Sequence, residues 1–579
     1  MVYGSPKEST EPQQNASSHA GISLARQGVA HCDNNDTKEA STSVYAAGEV
    51  GVENDATARQ PTKRKPIKFH LAFLAINIAC FIFALDSTSL SVAIPSIAEQ
   101  LHGTTLQSFW AGIAFLLATV ITQPLYTSMS DIYGRKPLFQ IAFFLFTVGS
   151  IVFGLAPNMP AIISGRLIQG LGGGGMDVLS EIIVADMVAL KDRPVYLGLM
   201  AIPIAVGSIL GPSLAAVLVQ YASWRWIGWI NLPFIGVAYP LILFCLKLKP
   251  IDNSLMQRTK QLDWIGMAIF TSACTLFVLP LTWGGTLYSW QSWKTLLPFV
   301  VGILGLIVFA WYESKPSRPI IPHRIFYPRT ASVTLVTAVL HGMLLFSLLQ
   351  YLPFFYQAVA GETLIRSALS LLPTSIISVL AAGSSAALVG PLKGYRWPMW
   401  ISWITLTVGS GLLSLFSVST STAMKYGLPI VWGLGIGALL RIAQLPMQAS
   451  VANIDDTGVA IGLLMFARLL GGLTGLAISS TIFSNAFGPS ISKIIPDLPA
   501  NLQVLGNANT AIEFIPKLRT IDIPSDVLLL IRKAYLDAFQ AIFYTMTGIS
   551  GLGFFISLGL EELSLDKEER GQQQFDDEE

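Results

Sequence analysis

The chain is short of charge. Of its 579 residues only 12% are Asp, Glu, Lys or Arg, and 36 basic against 35 acidic side chains leave a net charge of +1. Soluble domains carry roughly 25% charged residues, so this scarcity argues against an ordinary water-soluble protein. The near-zero balance removes the basic footprint of a protein that holds nucleic acid, and no nucleic-acid partner is expected. Cysteine is scarce too: Cys32, Cys80, Cys245 and Cys274 form no CxxC pair and no metal-ligand spacing, which leaves a disulfide framework or a zinc centre without support. No nucleophile–base pair, metal-ligand cluster or ATP site stands out, so neither an enzyme nor a metal or cofactor is expected. The opening stretch "MVYGSPKESTEPQQN" has no apolar core of the kind a secretory signal needs, so the first membrane segment is expected to direct insertion.

What is abundant is apolar surface: 52% of residues are hydrophobic and the mean hydropathy is +0.57. Residues 1–66, rich in Ser, Thr, Gln, Asn and Gly, bury too little to offset the entropy of ordering and read as a disordered cytoplasmic tail, in which the sequons at Asn15 and Asn35 stay unused. From Phe69 onward, apolar stretches of helical membrane length recur, near 69–98, 108–130, 137–156, 161–189, 195–219, 226–247, 263–282, 295–312, 330–358, 367–391, 397–416, 426–449, 457–484 and 534–560. Fourteen segments put both chain ends on one side. The short loops on that side hold Arg135, Lys136, Lys191, Arg193, Lys247, Lys249, Arg258, Lys260, Lys315, Arg318, Arg324, Arg329, Lys393 and Arg396, against only Arg225, Lys294, Arg366 and Lys425 opposite. The positive-inside rule then predicts cytoplasmic termini. The connection 485–533 is expected to be a partly helical external loop.

The fourth segment is the most informative. "GRLIQGLGGGGMDVLSEIIVAD" places Arg166, Gln169, Gly173, Asp177 and Glu181 on one helical face. Such a stripe cannot face lipid, because an intramembrane charge costs several kcal/mol unless paired or hydrated. It lines a water-filled cavity or serves as an ion-pair scaffold that fixes packing. Gly170, Gly172 and Gly175 spell a GxGxxG, but a dinucleotide fingerprint follows a strand, and this one lies inside an apolar stretch of spanning length. The glycines point instead to close helix approach.

Segment one holds a single acid, Asp86, in "LDSTSLSVAIPSI". At 1.5 Å per residue Asp86 lies roughly 26 Å along its helix and Arg166 roughly 9 Å in from the opposite end of segment four, so the two can pair at similar depth. A carboxylate whose proton affinity depends on hydration and on that arginine is what a proton-coupled carrier requires; a permanent structural ion pair is the plain alternative. The turn "TSMSDIYGRKPLF" sets Asp131, Gly134, Arg135 and Lys136 at a helix end, where breakable ion pairs suit a gate, though a basic turn also serves topology alone. Segment five carries Gly207, Gly211 and Pro212 in a GxxxGP pattern that allows close packing and a bend.

These motifs carry a resemblance. "TSMSDIYGRK" resembles the cytoplasmic gating motif of the major facilitator superfamily, "GRLIQG" its fourth-helix motif, and "GSILGPSLAA" its antiporter motif on helix five. With "LDSTSLSVAIPSI" and "SWRWIGWINLPF", residues 69 to 560 resemble the fourteen-helix branch of drug:proton antiporters, especially fungal toxin and multidrug efflux pumps. Two departures stand out: Thr127 replaces the usual first glycine of the gating motif, and Ala215 and Ala216 replace the usual glycine pair of the antiporter motif.

The resemblance implies an all-α membrane protein of the major facilitator fold, with 14 transmembrane helices as two six-helix bundles plus one added pair. The implied layout is a bundle at 67–250, a linker with two added helices at 251–315, a bundle at 316–560 that includes the external loop, and an acidic cytoplasmic tail at 561–579. It implies proton-driven export of small organic molecules by alternating access, with substrate near the midplane. Asp86, Arg166, Asp177 and Glu181 are the proton-coupling candidates. Gln169, His341, Tyr351, Arg441, Gln444, Gln448 and Arg468 are the candidates for the substrate cavity, although His341 is equally suited to a structural hydrogen bond. Arg441 and Arg468 cannot shed their charge, so they attract an anion or balance the acids of the first bundle. The expected partners are a small-molecule substrate, protons and the bilayer; the expected state is a monomer in the plasma membrane, with a vacuolar membrane as the alternative. Proton-coupled nutrient uptake and a non-transporting sensor on a carrier scaffold are the rival readings.

Overall fold

The computed structural model describes residues 65–103, 105–249, 259–285, 287–316, 318–392, 394–495, 500–506, 511–512, 514–519, 523–565 and 573–575. The expected amino-terminal tail, with Cys32 and both sequons, and most of the acidic tail lie outside the described residues.

Apolar runs without internal charge pairs become long helices because a backbone in hydrocarbon must satisfy its own hydrogen bonds. The amino half comprises α1 (Ile67–Gln100), α2 (Thr105–Tyr133), α3 (Arg135–Leu155), α4 (Met159–Met187), α5 (Arg193–Tyr221), the short α6 (Trp226–Trp229) and α7 (Asn231–Cys245). A pair, α8 (Trp264–Trp283) and α9 (Trp293–Tyr312), follows. The carboxy half comprises α10 (Arg329–Ala358), α11 (Leu364–Leu369), α12 (Leu372–Leu392), α13 (Arg396–Leu413), α14 (Thr422–Ile442), α15 (Gln444–Ala449), α16 (Thr457–Ser492) and α17 (Ser525–Ser557).

Among the described residues, 13 helical stretches are long and apolar enough to cross a membrane. At the position of the expected eleventh segment stands α13, an 18-residue helix not counted among them, whose Arg396, three tryptophans and Ser and Thr residues dilute its hydropathy. The boundaries near the carboxy end also differ from expectation. α16 runs on to Ser492 and α17 begins at Ser525, so the loop between them shrinks to 493–524, with 3-10 turns at Ala500–Gly506 and Ile515–Arg519. The expected twelfth segment breaks between α14 and α15 at Ala443, three residues before Pro446, which has no N–H to offer the carbonyl of Ile442.

Within the amino half α4 is wedged between α2 and α3, and α1 lies along α5 and α7; within the carboxy half α10 packs on α16, and α14 on α12 and α13. The halves meet where α5 crosses α12 and α15's neighbour α16 meets α2 and α4. The α8–α9 pair rests on α16 and α2 through α8. Glycine decides the closest approach: a Cβ on Gly211 of α5 would lie 2.7 Å from the Leu85 carbonyl oxygen of α1. The GxxxGP stretch is thus the contact surface for the helix that carries Asp86. Phe69 at the start of α1 meets Phe575 of the carboxy-terminal tail, with ring centroids 5.5 Å apart, and this side is called the tail face below.

Candidate functional site

Among the described residues, three polar clusters on α2, α3 and α4 and their partners bear on the candidate site. The first surrounds Asp86, which is 1% exposed. Arg166 Nη1 donates to Asp86 Oδ2 at 2.5 Å, Asn231 Nδ2 to Oδ1 at 3.0 Å and Gln169 Nε2 to Oδ1 at 3.3 Å. Ser150 Oγ accepts from Gln169 at 2.9 Å and from Asn231 at 3.3 Å, and the Arg166 guanidinium stacks over Phe115, 4.5 Å from its centroid. Four helices therefore converge on one carboxylate. The Asp86–Arg166 pairing follows from depth along two helices, whereas Ser150 and Asn231 gave no signal in the sequence: a single Ser or Asn in an apolar run is unremarkable until folding aims it at a charge. Gln169 belongs to this cluster within the amino half, not to a cavity between the halves, because its helical phase turns it toward α1 and α3.

The second cluster lies between the halves. Glu181 of α4 accepts from Arg441 Nη1 of α14 at 2.5 Å, both side chains being almost wholly buried. One turn away Asp177, which is only partly buried, accepts from Gln123 Nε2 at 2.8 Å. Arg468 of α16 lies within electrostatic reach of Arg441, Glu181 and Asp177, and donates to the Leu440 carbonyl at 3.0 Å. His341 is bonded through Nε2 to the Ile436 carbonyl at 2.9 Å, the structural role open to it. Among the described residues, the fully buried Gln444 has neither side-chain polar atom bonded, and Arg441 Nε and Nη2 are likewise without a partner. An unpaired buried donor costs about 1–3 kcal/mol, more if charged, so these groups stand ready for water or a ligand. Gln123 is a member without a signal in the sequence; as one of two glutamines in α2, sixteen residues apart, it carries no distinguishing spacing.

Two of the cavity candidates sit elsewhere. Gln448 Oε1 accepts from Arg193 Nη1 at 2.8 Å, making a tie between α15 and the start of α5 on the tail face. Tyr351 is 3% exposed inside an aromatic core with Phe354 and Phe483, centroids 6.1 and 6.2 Å away, and its hydroxyl bonds Ser480. Its place in the helical repeat buries it within the carboxy half, not on a wall facing the amino half.

The third cluster is the turn between α2 and α3. Gly134 adopts φ +104°, a conformation that favours glycine, and lets α3 start at once with Arg135. The fully buried Arg135 pairs with Asp131, donates from Nε to Asp186 at 3.1 Å and from Nη1 to Ser130 Oγ at 2.6 Å. Across the halves, the Cα of Gly458 on α16 comes so close that a Cβ there would lie 2.6 Å from Arg135 Nη2. Lys136 turns aside to the Leu243 carbonyl at 2.8 Å and stays within its own half, since one residue along a helix rotates the side chain by about 100°. With Arg193–Gln448 and Glu181–Arg441, these contacts close the halves together toward the tail face. Among the described residues, no group of three or more His, Cys, Asp or Glu gathers as a metal would need.

Two halves of packed helices joined by an added pair, with buried ion pairs inside the amino half and between the halves, have the architecture of a multi-pass membrane transporter. Residues 76–476 match the sequence profile of the Major Facilitator Superfamily, and the chain belongs to that family. It is 49% identical over 556 residues to the MFS-type transporter sphD of Aspergillus fumigatus, covering 95% of this chain and 94% of that one. It is 32% identical over 512 residues to the Efflux pump FUS6 of Gibberella fujikuroi, covering 87% and 91%. Among solved structures, the human organic anion transporter MFSD10 (TETRAN) superposes with a TM-score of 0.58 at 14% identity, over 85% of this chain and 100% of that one, a likeness of fold alone.

Proposed function

We propose that the chain exports small organic molecules, of the kind made as secondary metabolites, in exchange for protons. The observation that carries the proposal is the buried Asp86–Arg166 pair, held by Gln169 and Asn231 in the interior of the amino half. A proton on Asp86 removes its attraction to Arg166 and loosens the junction of α1, α3, α4 and α7; loss of that proton restores it. The relatives named as efflux pumps support the outward direction.

In the proposed cycle a proton reaches the carboxylates from outside and substrate leaves outward. The halves then rock, the proton leaves inward, and the next substrate enters between Glu181, Arg441 and Arg468. Asp177, partly exposed, is the proposed relay to Glu181 one turn away. Breaking Glu181–Arg441, Asp131–Arg135–Gly458 and Arg193–Gln448 opens the tail face, whose proposed cytoplasmic orientation is supported by the basic loops. No cofactor or catalytic step enters this cycle. Fourteen crossings, with α13 as the eleventh, a monomer and the plasma membrane complete the proposal.

The test is accumulation of a panel of hydrophobic toxins and dyes in cells overproducing the protein, with and without a protonophore. Lower accumulation that the protonophore abolishes supports the proposal. Protonophore-sensitive higher accumulation of a nutrient or siderophore replaces it with uptake by symport. A fluorescent fusion that lights the vacuolar rim would move the location there.

A further inference from the structure

The tail beyond α17 touches both halves on the tail face. At its start Glu561 N–H donates to Thr330 Oγ1 at 3.2 Å and the Tyr395 hydroxyl donates to the Glu561 carbonyl at 2.6 Å. The Glu562 carboxylate accepts from the backbone N–H of Tyr395 at 2.9 Å and of Arg396 at 3.1 Å, two otherwise unsatisfied donors at the start of α13. All of these partners belong to the carboxy half.

Eleven residues beyond Glu562, the chain is seated on the amino half. Gln573 Nε2 donates to the Ser130 carbonyl at 3.3 Å, its Oε1 accepts from Arg135 N–H at 3.0 Å, and its own backbone N–H bonds the Asp186 carboxylate. Lys249 N–H donates to the Gln574 carbonyl at 3.0 Å, and Phe575 forms an antiparallel bridge with Leu248 while its ring stands edge-on to Phe69. Gln573 and Phe575 are 4% and 3% exposed. The surrounding sequence "EERGQQQFDDEE" is strongly polar, and such a stretch has no drive of its own to bury anything. Burial of one glutamine with both ends of its amide bonded, next to one buried phenylalanine, describes a fitted site and not a chance contact.

We propose that the turn between α2 and α3 is a receptor for the chain's own segment Gln573–Phe575, and that its occupancy holds the tail face shut. The argument rests on shared atoms. Ser130, Arg135 and Asp186, which Gln573 touches, are the groups that position the Arg135 guanidinium, and Arg135 is what α16 meets at Gly458. While Gln573 is seated, the turn keeps the shape complementary to α16; when it leaves, a backbone N–H and a carboxylate lose partners and the turn is free to part from α16. Chain length does not enforce this: the ten residue steps from Leu563 to Gln573 reach up to about 33–36 Å, enough to follow either half as it rocks. The effect comes from occupancy, so it can be relieved by anything that competes for the segment.

This inference rests on the alternating-access reading. The test places spin labels at Asp192→Cys, an exposed site on the tail face of the amino half, and at Tyr327→Cys, an exposed site on that of the carboxy half, in the full chain with its native cysteines replaced by serine and held in nanodiscs. Pulsed electron–electron resonance should show one predominant short distance in the parent, and a longer one gaining at least fivefold in relative population in Gln573→Ala and in Phe575→Ala. Adding a synthetic peptide of residues 565–579 to a chain ending at Leu565 should bring the short distance back. Variant distributions that superimpose on the parent, or a peptide that changes nothing, would overturn the proposal. Protonophore-sensitive transport by the parent, measured separately, tells loss of the latch alone from loss of the carrier reading on which it stands.

Discussion

Thr127 of α2 fills the space that Gly462 of α16 leaves empty: a Cβ on Gly462 would overlap the Thr127 hydroxyl. The gating motif here opens with threonine where the family pattern has glycine, and the side chain so added is accommodated by a glycine on the opposite half. The contact between halves is kept, with the small residue on the other side.

This exchange predicts an asymmetric response. Gly462→Val should drive α16 away from Thr127 and lower transport at least tenfold, whereas Thr127→Gly should be tolerated. Combining Thr127→Gly with Gly462→Ala should recover activity that Gly462→Ala alone loses. Initial rates in proteoliposomes, normalised to folded protein, decide it; equal losses in Gly462→Val with and without Thr127→Gly would remove Thr127 from the account.

Asp86→Asn keeps the shape of the acceptor but leaves Arg166 buried without its counter-charge. Breaking a buried pair on one side costs about 3–5 kcal/mol. The variant should melt lower than the parent and show no response to a pH gradient. The double variant Asp86→Asn with Arg166→Gln should regain thermal stability but not gradient response. A double variant no more stable than the single one would show that hydrogen bonds, not charge, hold the cluster.

Glu181→Gln and Arg441→Gln should each be more disruptive alone than together, since each single change strands one buried charge between the halves. A double-mutant cycle on melting temperature measures the coupling, expected to exceed about 1 kcal/mol. Additive effects would mean that the pair opens readily in the resting protein.

Glu313, just past α9 and 3% exposed, accepts from Ile321 N–H at 2.6 Å. Burial lifts its carboxyl from the ordinary 4.5 to about 7, against the smaller opposing effect of the Ile321 hydrogen bond. A folded state that binds the proton more tightly than the unfolded state is favoured below about pH 4.5, and this contribution is lost as pH rises through about 7. Melting temperature should therefore fall between pH 5 and 8, and Glu313→Gln should flatten part of that fall by raising the value at pH 8. An unchanged slope in the variant would assign the pH dependence to other groups.

The class of this protein was legible in one dimension because the bilayer imposes a length and a composition on every segment it contains, and an all-helical, multi-pass chain satisfies it residue by residue. The same holds for the gating, fourth-helix and antiporter motifs, whose glycines and charges act at helical spacings within one or two segments. Asp86 and Arg166 could be matched because one is the single acid of its expected segment and the other the single base of its own, both at calculable depths. What only the tertiary structure decided depends on phase and on partners distant in sequence. Ser150 and Asn231 join Asp86, Gln123 joins Asp177, Gln169 turns into its own half, Tyr351 and Gln448 leave the cavity, and Lys136 folds back on Leu243. Each outcome hangs on about 100° of rotation per residue and on which helix stands opposite, and hydropathy carries neither. The seating of Gln573 on Ser130 and Arg135 is the extreme case: more than 400 residues separate the partners, and a polar glutamine in a polar tail is marked for burial only by the site that receives it.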